Sequence, residues 1–145
     1  MQVPASFPQF RTPMGEKISH GSRILKVLVV EDHADEREIL RRYLESRGWE
    51  VHTAADGEEA VSAAQTSRPD IILMDIALPE RSGISATYRI LKTPGLESTP
   101  VVALTGFTNE DLRRDALAAG CREVLLKPVS PSDLDDLVLR YAAGG

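Results

Sequence analysis

Short apolar runs alternate with longer amphipathic segments along most of the chain. The first run, residues 25–30, is rich in leucine and valine and is followed directly by Glu31 and Asp32. Four further runs of strand length are residues 49–53, 70–74, 100–104 and 124–126. All except the alternating run 49–53 are almost continuously apolar, which is typical of strands buried on both faces of a parallel sheet. The pattern therefore predicts five strands.

The segments between these runs have helical spacing, with apolar residues three or four positions apart. The predicted helices are residues 38–47, 58–65, 84–91 and 110–119, and a fifth that begins after Ser130. Gly48 and Gly120 follow two of these helices, and glycine is common directly after a helix ends. Ser130 followed by Pro131 is typical of an N-cap and the first residue of a helix.

Strands that alternate with helices predict an α/β protein, because each helix returns the chain to the start of the next parallel strand. We expect three layers, with a doubly wound sheet between helices on both faces, in one domain over residues 24–145. Residues 1–23 differ, since Pro4, Pro8 and Pro13 lie among polar residues and glycine. A segment with so few apolar residues cannot bury enough surface to offset the entropy that it would lose on ordering. We therefore predict that residues 1–23 form a flexible N-terminal tail.

Composition narrows the class of protein further. The 145 residues include 17 Lys and Arg against 22 Asp and Glu, giving a net charge of −5. This acidity argues against direct nucleic-acid binding, which uses a basic surface to displace counterions. The single cysteine, Cys121, forms no internal disulfide and fits a reducing compartment. No apolar run has the roughly 18 residues of a membrane span or resembles a signal peptide, so we expect a cytoplasmic protein without a membrane partner.

Polar residues of complementary chemistry follow the predicted strands. They are Glu31 and Asp32 after the first strand, Asp75 after the third, Thr105 after the fourth and Lys127 after the fifth. Because ligands of open α/β sheets bind at the carboxyl ends of the strands, we expect these side chains to share one edge. The acids repel one another unless a cation lies among them, and Mg²⁺ prefers such oxygen ligands. With a lysine to contact phosphoryl oxygens, the set suits phosphoryl transfer.

Four motifs in this order make the chain similar to the receiver domains of two-component response regulators. The motifs are Val-Val-Glu-Asp (29–32), Leu-Met-Asp-Ile-Ala-Leu-Pro (73–79) with Gly83, Ala-Leu-Thr-Gly (103–106) and Leu-Lys-Pro (126–128). The resemblance covers Lys26 to about Tyr141. It implies a flavodoxin-like (βα)5 fold with a parallel five-stranded sheet in the order 2-1-3-4-5. It also implies a phosphoacceptor function in signal transduction.

The resemblance implies a role for each acidic residue. Asp75 is expected to be the phosphoacceptor, a carboxylate nucleophile that attacks a phosphohistidine. Asp32 and Asp75 are expected to bind Mg²⁺ directly, together with the backbone carbonyl of Ala77. Glu31 is expected to reach the metal through a water molecule.

The lysine and the threonine also take their expected roles from the resemblance. Lys127 is expected to pair with the acyl phosphate. Thr105 is expected to turn inward and hydrogen-bond it, which would couple phosphorylation to a change at the surface. The lysine–proline bond of the family is often cis, so the same is expected of Lys127–Pro128.

One position departs from the family pattern. Three residues before the lysine the family usually has an aromatic residue that moves inward with the threonine, and this chain has Val124. A ring switch is therefore absent, and the way phosphorylation alters the face of the fourth helix, fifth strand and fifth helix stays open. Ala77 and Phe107 occupy positions at which the family tunes phosphate lifetime. We expect the bulky Phe107 to hinder the attacking water and lengthen that lifetime.

These observations predict a stand-alone response regulator, active as a monomer or weak dimer. Its expected partners are a sensor histidine kinase or a histidine phosphotransfer protein, and a downstream protein effector. It is expected to catalyse only its own phosphorylation and dephosphorylation, so we do not class it as an enzyme.

Two alternatives remain open. One is a degenerate receiver that binds partners without phosphorylation, and the other is an aspartyl-nucleophile phosphatase similar to the haloacid dehalogenase superfamily. That superfamily needs a second aspartate two residues after the nucleophile, where this chain has Ala77, so it is less favoured. His33 is left out of the expected metal site, since a single imidazole among carboxylates does not suit Mg²⁺.

Overall fold

The computed structural model describes residues 19–20, 23–106 and 109–143. The predicted tail therefore lies largely outside the described residues, as does Phe107. Within the predicted tail, Ser19–His20 pairs as an antiparallel strand with Arg23–Ile24. This pairing crosses the predicted domain boundary at residue 24. Arg23 also contacts the domain, because its guanidinium donates to both carboxylate oxygens of Asp70 at 2.7 and 2.8 Å.

Five parallel strands form the central sheet. They are β1 (Lys26–Val30), β2 (Glu50–Ala54), β3 (Ile71–Asp75), β4 (Val101–Thr105) and β5 (Glu123–Leu126). Their order across the sheet is β2-β1-β3-β4-β5, and every neighbouring pair is parallel. The predicted fold class and the strand order 2-1-3-4-5 are thus confirmed. Each strand lies within one or two residues of its predicted position.

Five helices connect the strands. They are α1 (Ala34–Ser46), α2 (Gly57–Ser67), α3 (Ser82–Leu91), α4 (Glu110–Ala119) and α5 (Pro131–Val138), which continues as a wider turn over Leu139–Ala143. Helix α1 begins four residues before the predicted start at Glu38. Its first four residues, 34–37, carry no large apolar side chain, so the hydrophobic periodicity missed that turn. A short 3₁₀ turn, Pro79–Arg81, precedes α3.

The core lies in two layers, one on each face of the sheet. Alternate strand residues such as Ile72 and Met74 pack with apolar residues of α2, α3 and α4. The intervening residues, such as Leu73, pack with Leu44 of α1 and Leu137 of α5. The three central strands, β1, β3 and β4, are therefore buried on both faces, whereas the edge strands β2 and β5 are partly exposed. Helices on both faces of the sheet confirm the predicted three-layer architecture. No helix in the described part of the chain is both long enough and apolar enough to cross a membrane.

The sheet brings the predicted polar residues to one edge. Glu31 follows β1, Asp75 and Thr105 end β3 and β4, and Lys127 follows β5. Helix α3 lies very close to this edge. A Cβ atom on Gly83 would lie only 2.5 Å from the backbone oxygen of Asp75. Glycine at this position thus allows α3 to pack directly beneath the site.

Candidate functional site

Asp75 lies at the centre of the polar edge and is only 3% exposed. One of its carboxylate oxygens, Oδ1, accepts a hydrogen bond from the backbone N–H of Ala77 at 2.8 Å. Burial raises the pKa of Asp75 above its usual value, and the nearby charge of Glu31 acts in the same direction. The N–H of Ala77 and the ammonium of Lys127 oppose this rise only in part. Asp75 is therefore a buried carboxyl group that carries its negative charge at a cost.

Lys127 reaches this edge from the loop after β5 and contacts three carboxylates. Its Nζ lies 2.6 Å from Glu31 Oε1, 3.0 Å from Glu36 Oε1 and 3.6 Å from Asp75 Oδ2. Burial lowers the pKa of Lys127, but its bonds to Glu31 and Glu36 outweigh that effect and leave it raised. The ammonium therefore stays charged beside Asp75. The Lys127–Pro128 peptide bond is cis, as predicted.

Glu31 is almost completely buried and is held by hydrogen bonds. Besides the bond from Lys127, its Oε2 accepts from the backbone N–H of His33 at 3.1 Å and lies 2.9 Å from the imidazole Nδ1. Burial alone would raise the pKa of Glu31, but the bonds from Lys127 and His33 together lower it to about 2. Glu31 is therefore ionised at neutral pH, in contrast to the disfavoured charge on Asp75.

Four side chains at this edge can contribute ligands to one metal ion. Glu31, Asp32, His33 and Asp75 each place one ligand atom within 4.8 Å of the others. Three of these ligands are carboxylates, the donors that Mg²⁺ prefers, so the donor set fits that ion. Sequence reasoning left out His33, yet its Nδ1 lies 3.3 Å from Asp32 Oδ1. The ring is solvent-exposed, and its bond to Glu31 and the charge of Asp32 raise the pKa of His33.

A cavity of about 640 Å³ opens beside Asp75. Its polar lining includes His33, Glu36 and Lys127, and its apolar lining comes from α1, β4 and the loop after β5. Ala77 also lines it, at one of the two positions expected to tune phosphate lifetime. Glu36 is a second residue that sequence reasoning missed. No local motif indicates its contact with Lys127, because the two residues are 91 positions apart.

Val124 and Thr105 border a different cavity, on the α4 side of the sheet. Thr105 is 5% exposed, and Val124 is half-buried against the core beneath α4. The cavity measures about 490 Å³, and its apolar lining includes Ile76 and Leu112. Thr105 and Val124, the residue that departs from the family pattern, therefore line one cavity.

Most of the chain matches a known family. A family model described as the response regulator receiver domain matches residues 27–139. The chain belongs to the response regulator receiver family. Receiver domains are phosphoacceptor signalling domains of two-component systems, and they bind Mg²⁺ in the acidic cleft at this edge of the sheet. They interact with histidine kinases or phosphotransfer proteins and with downstream effectors.

Curated relatives and solved structures agree with this assignment. The chain is 41% identical over 110 residues to the transcriptional regulatory protein PdtaR of Mycobacterium tuberculosis, covering 75% of this chain but only 52% of that protein. It is 36% identical over 115 residues to the polar-differentiation response regulator DivK of Brucella anthropi, covering 79% of this chain and 94% of DivK.

The fold is also similar to a solved receiver that holds a metal. The receiver domain of a sensor histidine kinase from Pseudomonas aeruginosa PAO1 superimposes with a TM-score of 0.76 at 34% identity, over 84% of this chain and 99% of that one. That structure has a magnesium ion coordinated in its active-site cleft.

Proposed function

We propose that this protein is a response regulator that accepts a phosphoryl group on Asp75 and signals through altered protein contacts. The single observation that carries the proposal is the environment of Asp75. Its carboxylate lies buried at the carboxyl end of β3, beside Lys127 and among the acids that can hold a divalent cation. The acceptor, the positive charge for phosphoryl oxygens and the metal ligands are therefore all in one place.

In the proposed reaction, an oxygen of Asp75 attacks the phosphorus atom of a phosphohistidine. The bond from phosphorus to the Asp75 oxygen forms as the bond to the donor imidazole nitrogen breaks, and the imidazole leaves. Lys127, 3.6 Å from Asp75, lies within reach of the transferred phosphoryl oxygens. Glu31, Asp32, Asp75 and the carbonyl of Ala77 would hold Mg²⁺, which supplies positive charge to the phosphoryl group.

The output is proposed to pass through Thr105 to the surface formed by α4, β5 and α5. Thr105 ends β4 next to the site, and Val124 borders the same cavity on that side of the sheet. The proposed donor is a sensor histidine kinase or a histidine phosphotransfer protein, in the cytoplasm. DivK, of which the chain covers 94%, is a polar-differentiation response regulator, and this likeness supports a response-regulator role for the chain.

The proposal is tested by incubating the protein with acetyl phosphate and Mg²⁺ and measuring the mass of the intact protein. We expect an adduct of one phosphoryl group, which is absent in the Asp75→Asn variant and when EDTA replaces Mg²⁺. Continuous hydrolysis of small phosphoesters would favour an aspartyl phosphatase instead. An unmodified protein under all conditions would favour a receiver that binds partners without phosphorylation.

The lifetime of the adduct tests the proposed role of Phe107. We propose that this side chain hinders the water that hydrolyses the acyl phosphate. The Phe107→Glu variant should therefore lose its phosphoryl group faster than the wild type after removal of acetyl phosphate. Equal rates of loss would show that Phe107 has no such role.

A further inference from the structure

Lys127 is shared between two kinds of carboxylate. Glu31 and Asp75, at 2.6 and 3.6 Å from its Nζ, belong to the group of side chains that can hold a cation. Glu36, whose Oε1 lies 3.0 Å from the same Nζ, is outside that group. It projects from the first turn of α1, and its side chain is 52% exposed. The ammonium thus has one carboxylate partner that does not compete with metal binding.

A cation among the acids changes the balance at Lys127. The cation neutralises negative charge on Glu31 and Asp75, and it repels the Lys127 ammonium that lies between them. Among the carboxylates that contact Lys127 in the described part of the chain, only Glu36 then keeps its full attraction for the ammonium. The contact between Glu36 and Lys127 therefore matters more in the metal-bound protein than in the metal-free protein.

We propose that Glu36 is a positioning residue that holds the Lys127 ammonium beside the acidic group when Mg²⁺ binds there. Glu36 is not a metal ligand in this proposal. A group alters the affinity for a ligand only if it stabilises the bound and free states to different extents. Glu36 meets this condition. In the metal-free state Glu31 and Asp75 also attract the lysine, so the contact with Glu36 contributes less there than in the metal-bound state. The inference rests on the metal site of the proposed function and is independent of phosphoryl transfer.

The Glu36→Gln variant removes the charge and keeps the shape of the side chain. Because the ion pair is partly exposed, we expect Mg²⁺ binding to weaken about two- to fivefold. Asp35→Asn is a matched control, since it removes the same charge from the adjacent residue. Asp35 is exposed, and no ion pair within residues 23–106 and 109–143 involves it. Its replacement measures the general effect of one negative charge near the site.

The experiment is an NMR titration of amide resonances with MgCl₂ at constant ionic strength. It compares the wild type, Glu36→Gln, Asp35→Asn, Lys127→Gln and the double variant of Glu36 and Lys127. Glu36→Gln should weaken binding more than Asp35→Asn does. In the Lys127→Gln background, where the proposed contact is already lost, Glu36→Gln should have no more effect than Asp35→Asn has in the wild type. Thermal unfolding confirms that each variant is folded.

Three results would overturn the inference. They are equal effects of Glu36→Gln and Asp35→Asn, an undiminished effect of Glu36→Gln in the Lys127→Gln background, and no Mg²⁺ binding by the wild type at millimolar concentrations. A wild type that binds Mg²⁺ but forms no phosphoryl adduct would count against the proposed function only. The titration would still decide the role of Glu36.

Discussion

Replacing Asp75 with asparagine should stabilise the metal-free protein, although Asp75 is the proposed phosphoacceptor. Asp75 is only 3% exposed. Burial, with the charge of Glu31 in addition, raises its pKa from 3.8 to about 6, against the opposing effects of the Ala77 N–H and Lys127. A raised pKa means that folding favours the neutral acid over the carboxylate. Asparagine has nearly the same shape as aspartate and carries no charge.

The size of the effect follows from this pKa difference. At 1.36 kcal/mol per pH unit, the rise from 3.8 to about 6 corresponds to about 3 kcal/mol. Asparagine can keep the hydrogen bond from Ala77, but it loses the attraction of Lys127 and must bury an amide group. We therefore expect a net gain of about 1–2 kcal/mol in the free energy of unfolding. This equals a rise of about 3–7 °C in Tm for a chain of this size.

The gain should depend on pH in a defined direction. The unfolded carboxyl group ionises with a pKa near 3.8 and the folded one with a pKa near 6, so the folded state binds more protons between these values. The contribution of Asp75 to the free energy of unfolding of the wild type therefore falls as pH rises through this window. The advantage of the variant should be fully developed above about pH 7 and should vanish below about pH 4.

Urea unfolding in EDTA, at about pH 7.5 and about pH 4, measures this difference. Saturating Mg²⁺ should reverse the order at the higher pH, because a ligand stabilises the protein that binds it more tightly. The reasoning is refuted if the variant is no more stable than the wild type in EDTA at the higher pH. It is equally refuted if the advantage is as large at the lower pH.

Three other substitutions test the packing that supports the site. Gly83→Ala would place a methyl group 2.5 Å from the backbone oxygen of Asp75, so we expect a loss of about 1–3 kcal/mol in urea unfolding and weaker Mg²⁺ binding in an NMR titration. Leu73→Ala, in the core between the sheet, α1 and α5, should cost about 2–5 kcal/mol by urea unfolding. Ser130→Ala removes the acceptor for the N–H of Asp133 at 3.1 Å and should lower the Tm, with a loss of about 1 kcal/mol. An unchanged unfolding midpoint in any of these variants would contradict the packing described.

Much of the fold could be predicted because its strands are short and the three central ones are apolar on both faces. The run ending at Asp75 is buried at every position of β3, so one strand and its polar end are evident together in the sequence. The boundaries of helices were harder to predict. Helix α1 begins at Ala34 after His33, whose side chain makes no capping hydrogen bond, and its charged first turn has no apolar periodicity.

The predicted site residues could be placed at one edge because each follows or ends a strand. The contacts of His33 and Glu36 could not be predicted in the same way. Glu36 projects from a helix toward a lysine that comes four strands later, and this pairing depends on how α1 packs beside the loop after β5. His33 is adjacent to the acids in sequence. Only its ring orientation, set by the hydrogen bond to Glu31, brings it into the cluster.

The charge balance of the site links the burial of Asp75 to its need for a cation. Glu31, Asp32, Glu36 and Asp75 together carry four negative charges when all are ionised, against one positive charge on Lys127. Glu31 has a lowered pKa and keeps its charge, whereas burial, with the charge of Glu31 in addition, raises the pKa of Asp75. A neutral carboxyl group is a poor nucleophile. The Lys127 ammonium contacts three carboxylates. Its attraction for Asp75 lowers the pKa of that residue only in part, and the pKa remains raised. Further positive charge at the acidic group would therefore offset the cost of the charge on a buried Asp75 and stabilise the ionised form that phosphoryl transfer requires.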